Sequence, residues 1–231
     1  MRLLLALVVA TLVPLVYEEA ALPGWSSLNS GPFTAADEAY FTTALFIGDS
    51  LTSGLKSYNM IPEADYLTAV GVNLETMQTA PLFDLPNGGE VNLWQALTEV
   101  TTPQKIYIML GTNGVAWQKR ERMIENYTLL LDFLNYRFPD AQIYVQSILP
   151  AAIGVLIEQP DFTAQRVAAY NEVLQQLAEE RGVVWLDIYS EFADSEGYLL
   201  PTYAAGDGIH LNREGYRLWL EYLKSHVIAT R

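Results

Sequence analysis

Five short apolar runs, each ending at a glycine or a polar turn, limit what this chain can fold into. They cover residues 44–47, 66–70, 105–110, 142–148 and 183–188. Their apolar character is continuous rather than alternating, which predicts strands covered on both faces. Helical patterns lie between and after them. Residues 120–136 space Ile124, Leu130, Leu131 and Leu134 at near-helical intervals. Residues 163–181 do the same with Val167, Tyr170, Val173, Leu174 and Leu177, and Gly182 is placed to cap that helix. Residues 214–228 read as a closing amphipathic helix. Strands alternating with helices imply an α/β layered fold around a mostly parallel sheet. In such sheets, reactive side chains gather on the loops beyond the carboxyl ends of the strands.

Composition narrows the partners. The chain has 231 residues, 51% of them hydrophobic, enough for one domain with a single core. Its 27 acidic and 13 basic residues leave a net charge of −14, which repels nucleic-acid phosphates and anionic membranes. The basic cluster at 119–122 is short, so no nucleic-acid partner is expected. There are no cysteines. That excludes disulfides, thiolate catalysis, cysteine zinc sites and lipid attachment to cysteine.

The N-terminus has its own signature. Arg2 precedes an apolar run over residues 3–16, broken by Thr11 and Pro14 and ended by Glu18 and Glu19. A basic start before an apolar stretch of this length resembles a secretory signal, and it is short for a membrane span of roughly 20 residues. Residues 1–21 are expected to be an export signal or a weak N-terminal anchor. Residues 22–40, rich in Pro, Gly and Ser, read as a linker, and 41–231 as the domain. The expected location is secreted or cell-surface, with membrane contact only through the N-terminal segment if it is kept. Oligomeric state is not legible.

The stretch FIGDSLTSGLKS, residues 46–57, raises two readings. A phosphate-binding loop needs Gly, four residues, then Gly-Lys-Ser/Thr. Here five residues separate Gly48 from Gly54, and Leu55 precedes Lys56. The spacing fails, and Lys56 reads as a solvated surface residue. A serine nucleophile fits better, because Ser50 lies just past a buried strand where a helix begins. Serine needs a base, and the chain has two histidines. His226 reads as a surface residue of the last helix. His210 sits in the loop GDGIHLNREGY, three residues after Asp207, a carboxylate that could orient its ring; Asp187, at the end of the fifth run, is a rival. Acyl transfer also needs donors for an oxyanion. Gly71 after the second run and Asn113 in the GTN block at 111–113 after the third can supply them.

These blocks resemble the SGNH hydrolases, also called GDSL esterases/lipases. GDSL at 48–51, Gly71 in AVGVNLE, GTN at 111–113 and DGIH at 207–210 appear in family order, and the resemblance covers about residues 41–228. No G-x-S-x-G elbow surrounds Ser50, which argues against an ordinary α/β-hydrolase. The resemblance implies a flavodoxin-like three-layer sandwich with a five-stranded parallel sheet. It implies a metal-free, cofactor-free serine esterase in which Ser50, His210 and Asp207 form the triad. Ser50 and Gly71 N–H groups and the Asn113 side chain form the oxyanion hole. Similar exported bacterial members remove short acyl groups, often acetyl, from carbohydrates, so a small-molecule or glycan ester is the expected substrate. A lipase or lysophospholipase, an acyltransferase and a non-catalytic glycan-binding protein are the alternatives. One departure is Gly114, where the third block commonly continues with aspartate. Tyr58, Glu75, Met77, Trp94 and Trp117 are candidates to line the site.

Overall fold

The computed structural model describes residues 33–85 and 87–228. The expected export segment and the first part of the linker lie outside the described residues. Five parallel strands make the central sheet: β1 (Ala44–Gly48), β2 (Asp65–Thr68), β3 (Lys105–Met109), β4 (Gln142–Gln146) and β5 (Val184–Leu186). Their spatial order is 2-1-3-4-5, the flavodoxin-like arrangement, in which the order of strand addition reverses between β1 and β3 while every strand stays parallel. The helices are α1 (Ser50–Ser57), α2 (Leu93–Glu99), α3 (Arg120–Arg137), α4 (Ala164–Glu180), α5 (Tyr189–Phe192) and α6 (Arg213–Ser225). Among the described residues, no helix is long and apolar enough to cross a membrane.

The apolar runs form the strands because each strand presents side chains to two layers. Leu45, Ile47, Ile106, Ile108, Ile143 and Val145 face a core shared with α2, α3 and α4. Phe46, Tyr107, Met109, Tyr144 and Leu186 face the other way, toward α1, α5 and α6. This alternation between two buried faces explains why the runs carry no polar stripe. The result is a three-layer sandwich with a five-stranded parallel sheet.

Several boundaries differ from the sequence reading. The second and fifth strands are shorter than expected, because residues 69–70 and 187–188 have already turned into loops. The closing helix ends at Ser225, not at 228. Val227–Ile228 instead pairs antiparallel with Phe33–Thr34, and Glu38–Thr43 forms a 3₁₀ helix. Residues expected to be linker therefore carry structure from 33 onward. His226 is half-buried and stacks on Tyr222 at 3.9 Å, so it is not a solvated side chain.

An aromatic row crosses the second face of the sheet. Tyr66, Phe46, Tyr107 and Tyr144 sit in register on neighbouring strands, with ring centroids 5.4, 4.8 and 4.4 Å apart. At its end, the buried Tyr144 hydroxyl lies 2.8 Å from Tyr40 Oη and accepts from Ile228 N–H at 3.0 Å. Tyr40 donates to the Ile228 carbonyl at 3.3 Å. One hydroxyl thus ties the 3₁₀ turn before β1 and the strand Val227–Ile228 to the sheet. Tyr144→Phe keeps the ring stack but removes the acceptor for the buried Ile228 N–H and the hydroxyl contact to Tyr40. It should cost about 1–3 kcal/mol in urea unfolding; a midpoint equal to wild type would refute the clasp.

Candidate active site

The loop after β1 is shaped by a close approach. A Cβ on Gly48 would lie 2.0 Å from Thr52 Oγ1 and 2.8 Å from the Met109 carbonyl, so only glycine lets the strand end this tightly against its neighbours. Asp49 then caps α1, its Oδ1 accepting from Leu51 N–H at 3.0 Å. Ser50 is the first residue of α1 and is half-buried. From the far side, Tyr216 on α6 donates to the Leu51 carbonyl at 3.0 Å and holds the start of α1 in place. The serine therefore stands at the switch point of the sheet.

The loop before α6 brings the histidine to it. His210 Nε2 lies 2.8 Å from Ser50 Oγ, and His210 Nδ1 lies 2.6 Å from Asp207 Oδ2. Asp207 Oδ1 accepts from Ile209 N–H at 3.0 Å and from His210 N–H at 2.9 Å. Burial alone would raise the Asp207 pKa, but the hydrogen bonds from the His210 ring and these two amides outweigh it and hold the carboxyl at about 2. Asp207 is thus ionised at neutral pH. Nδ1 carries the imidazole proton and donates to it, and Nε2 is left to accept from Ser50 Oγ–H. The loop is buttressed from behind: Ala152 N–H donates to the Gly208 carbonyl at 2.7 Å. The rival Asp187 is engaged elsewhere, since its Oδ2 accepts from Ser190 Oγ at 2.6 Å.

Two further loops face the same edge. Gly71 has φ +74°, a left-handed conformation that suits glycine, and an added Cβ would meet nothing within 4 Å. Its surroundings are open. Asn113 Nδ2 donates to the Val72 carbonyl at 3.0 Å, which ties the third loop to the second and fixes the amide's orientation. Gly114, where the resembled block commonly carries aspartate, leaves this bond intact. Trp117 is 55% exposed and donates from Nε1 to the Asn113 carbonyl at 2.9 Å. Of the other candidates, Met77 is core, Trp94 packs on Phe133 at 4.8 Å, and Tyr58 packs on Tyr216 at 4.9 Å. Glu75 is half-buried beside Asn73, whose side chain accepts from the Glu75 N–H at 2.9 Å. Beside Asp207 opens a cleft of about 670 Å³, bordered by Ala152, Val155, Glu158, Gln159, Ala205 and Ile209. Among the described residues, no group of three or more His, Asp or Glu could hold a metal ion.

The sequence reading missed one group, Asp49. It is fully buried, and desolvation pushes its carboxyl up to about 6 against hydrogen bonds that lower it, the Leu51 N–H first. The available signal was its place between a buried strand and the serine. The unfolded chain gives up this proton near pH 3.8, whereas the native protein holds it to about 6. Its contribution to stability is therefore fully present below pH 3.8 and is lost as pH rises through 6. Asp49→Asn removes that loss. The variant should gain about 2–3 kcal/mol on wild type between pH 4 and pH 7 in denaturant titrations. A constant difference across that range would show that Asp49 does not titrate this way.

The model of the GDSL-like Lipase/Acylhydrolase family matches residues 46–218. No curated protein matches the chain in sequence. Among solved structures, a GDSL-like lipase from Bacteroides thetaiotaomicron is similar, with TM-score 0.61, 18% identity, and coverage of 78% of this chain and 85% of that one. A lipase/acylhydrolase from Enterococcus faecalis has TM-score 0.55 and 16% identity, covering 78% and 93%. An acetyl xylan esterase variant from Geobacillus stearothermophilus has TM-score 0.52 and 14% identity, covering 81% and 96%. At these identities the structures speak for the fold alone. The family match runs from the strand before Ser50 into the helix after His210, and on that span the chain belongs to the GDSL-like lipase/acylhydrolase family, the SGNH hydrolases, and is a serine-dependent carboxylic ester hydrolase.

Proposed function

We propose that the chain removes a short acyl group, most readily acetyl, from a carbohydrate or another polar alcohol. The observation that carries the chemistry is the hydrogen-bonded line from Ser50 through His210 to Asp207, at 2.8 and 2.6 Å. In this reading Ser50 Oγ attacks the acyl carbonyl while His210 Nε2 takes its proton. Negative charge moves to the carbonyl oxygen, where the N–H groups of Ser50 and Gly71 and the Asn113 amide are the proposed donors. Asp207 stabilises the imidazolium. As the tetrahedral intermediate collapses, the C–O bond to the alcohol breaks and His210 returns the proton to the leaving oxygen. Water, deprotonated by His210, then attacks the acyl-enzyme. A second tetrahedral intermediate releases the acid, and Ser50 regains its proton.

The short acyl group is supported by the openness of the site. The cleft beside Asp207 is broad and lined largely by small residues with Glu158 and Gln159, which suits a bulky polar alcohol better than an enclosed long chain. A structure sharing the fold carries the name acetyl xylan esterase. The expected N-terminal export segment fits a substrate outside the cell, so we place the enzyme there as a secreted or surface-held protein. A second reading, a lipase, draws on a different observation. Val70, Trp117, Ile153 and Ile157 are exposed on loops after β2, β3 and β4, and would form an apolar rim for a lipid-like ester.

Hydrolysis of p-nitrophenyl esters of increasing chain length by the full chain separates the two. The short-acyl reading expects the highest kcat/KM on acetyl, falling with length. It also expects Ser50→Ala to lose about 10⁴-fold or more. A rise toward long chains would move the assignment to a lipase, and activity retained by Ser50→Ala would remove the serine mechanism. Asp207, held at about 2, keeps its charge throughout pH 4–9. Asp207→Asn removes that charge and should lower kcat by about 10³-fold over the same range. A variant with wild-type kcat would assign the orientation of His210 to another group.

A further inference from the structure

Indole rings carry much apolar area, and most of the described tryptophans keep it out of water. Trp219 is core on one side of the sheet, and Trp94 and Trp185 pack against the core on the other. Trp117 is the exception: it is 55% exposed and joins neither core. Single exposed apolar side chains are common and mean little by themselves. What sets Trp117 apart is that its ring is pinned. Nε1–H donates to the Asn113 carbonyl at 2.9 Å, which lays that edge of the indole against the backbone of Asn113. The ring's one polar group is thus satisfied. Among the described residues, no other aromatic ring or cation stacks on its faces.

The loop that carries Trp117 is firmly held. The Gly111 carbonyl accepts from Gly114 N–H at 2.8 Å and Val115 N–H at 3.0 Å, and the Gly114 carbonyl accepts from Trp117 N–H at 3.0 Å and Gln118 N–H at 2.7 Å. Tyr170 on α4 closes over Gly111, where an added Cβ would lie 2.6 Å from its ring, and donates its hydroxyl to Gln118 Oε1 at 3.4 Å. Two further ties place the loop in the site. On one side Asn113, whose carbonyl takes the indole N–H, gives its amide to the Val72 carbonyl, next to Gly71. That is the side of the proposed oxyanion donors. On the other side Arg166 donates to the Ala116 carbonyl and pairs with Asp161 at 3.2 Å. Asp161 lies just beyond Glu158 and Gln159, which border the cleft beside Asp207. The loop of Trp117 is thus joined to the oxyanion side at one end and to the wall of the cleft at the other.

We propose that Trp117 is the platform on which a sugar ring of the ester's alcohol stacks, and so determines which alcohols the enzyme takes. A pyranose turns C–H bonds outward between its hydroxyls, and that face matches a flat apolar surface with no polar group left to satisfy. Glu158 and Gln159 offer hydrogen-bond partners to the hydroxyls at the ring's rim. A long acyl chain needs an enclosed slot instead, and a ring more than half exposed beside an open polar cleft gives it none. Because the indole is already pinned, little side-chain freedom is lost on binding. Stacking on a part of the alcohol away from the reacting carbonyl is the same in ground and transition states, so Trp117 acts on KM rather than kcat. This inference rests on the esterase reading above and narrows its alcohol to a sugar.

The test is kcat and KM on three esters: acetylated xylo-oligosaccharides, ethyl acetate, which has no ring, and p-nitrophenyl octanoate, which is lipid-like. The full chain is compared with its W117A, W117L and W117F variants, each with a thermal melt, and with S50A as control. W117A should raise KM on the oligosaccharides about 10-fold with kcat within about two-fold, and leave kcat/KM on ethyl acetate within about two-fold of wild type. W117F keeps a flat face and should hold KM within about three-fold of wild type. In calorimetric titration, S50A should bind the oligosaccharides about 10-fold tighter than S50A/W117A. Wild-type KM in W117A, or equal Kd in the two S50A proteins, would overturn the platform. A kcat loss shared by the oligosaccharides and ethyl acetate, and by W117F, would make the indole N–H a brace for Asn113 and overturn it as well. A loss confined to the octanoate would place Trp117 on a lipid rim instead. If W117A fails to fold, W117L decides by the same criteria. Ser50-dependent hydrolysis of ethyl acetate without hydrolysis of the oligosaccharides overturns only the platform. Absence of Ser50-dependent hydrolysis of all three esters overturns the esterase reading and the platform with it.

Discussion

The structure depends on the parallel pairing of β1 with β2 on one side and β3 on the other. That pairing buries β1 on both faces and leaves its backbone groups satisfied by its neighbours. It also forces the chain to leave β1 in one direction and return to β3 on the opposite side. The loops that follow these strands therefore part at the carboxyl end and leave a crevice. Ser50, Gly71 and Asn113 occupy the first three of those loops, so the sheet order fixes where their chemistry can meet.

Holding the crevice in shape takes contacts from both outer layers. Tyr216 on α6 secures α1 from one side through the Leu51 carbonyl. On the other, the 3₁₀ turn Ile153–Ile157 backs the Asp207–His210 loop through Ala152 and Gly208. Elements far apart in the chain thus converge on one hydroxyl. The electrostatics follow from placement. Two aspartates near the same serine titrate in opposite directions: Asp207 is half-exposed and surrounded by donors, and Asp49 is sealed with few. The same carboxyl chemistry yields a permanent anion in one place and a group near neutrality in the other.

Much of this was legible in the chain. The apolar runs reported the strands because burial on both faces leaves no polar stripe, and that signal is local. Ser50, Asn113 and the pair Asp207–His210 stood out because they sit on loops just after such runs or before the last helix. Asp187 could not be separated from Asp207 on sequence alone, since both are aspartates in turns; only the distance to His210 decides between them. The short helix before β3 was not read, because a seven-residue helix carries little periodicity. Tyr58, Met77 and Trp94 looked available to a ligand because an aromatic or Met near a motif has the same local pattern whether it faces the core or the cleft.

The sequence by itself determined the fold class, the order of the elements and the candidate residues for acyl chemistry, because alternating buried strands and helices, and the spacing of motif residues, are written in local pattern. Only the tertiary structure decided the 2.8 Å approach of His210 to Ser50 across 160 residues, the clasp of Tyr144 on Tyr40 and Ile228, and the full burial of Asp49. Each of these is set by how separate segments pack, a cooperative property of the whole core that no short stretch of sequence carries.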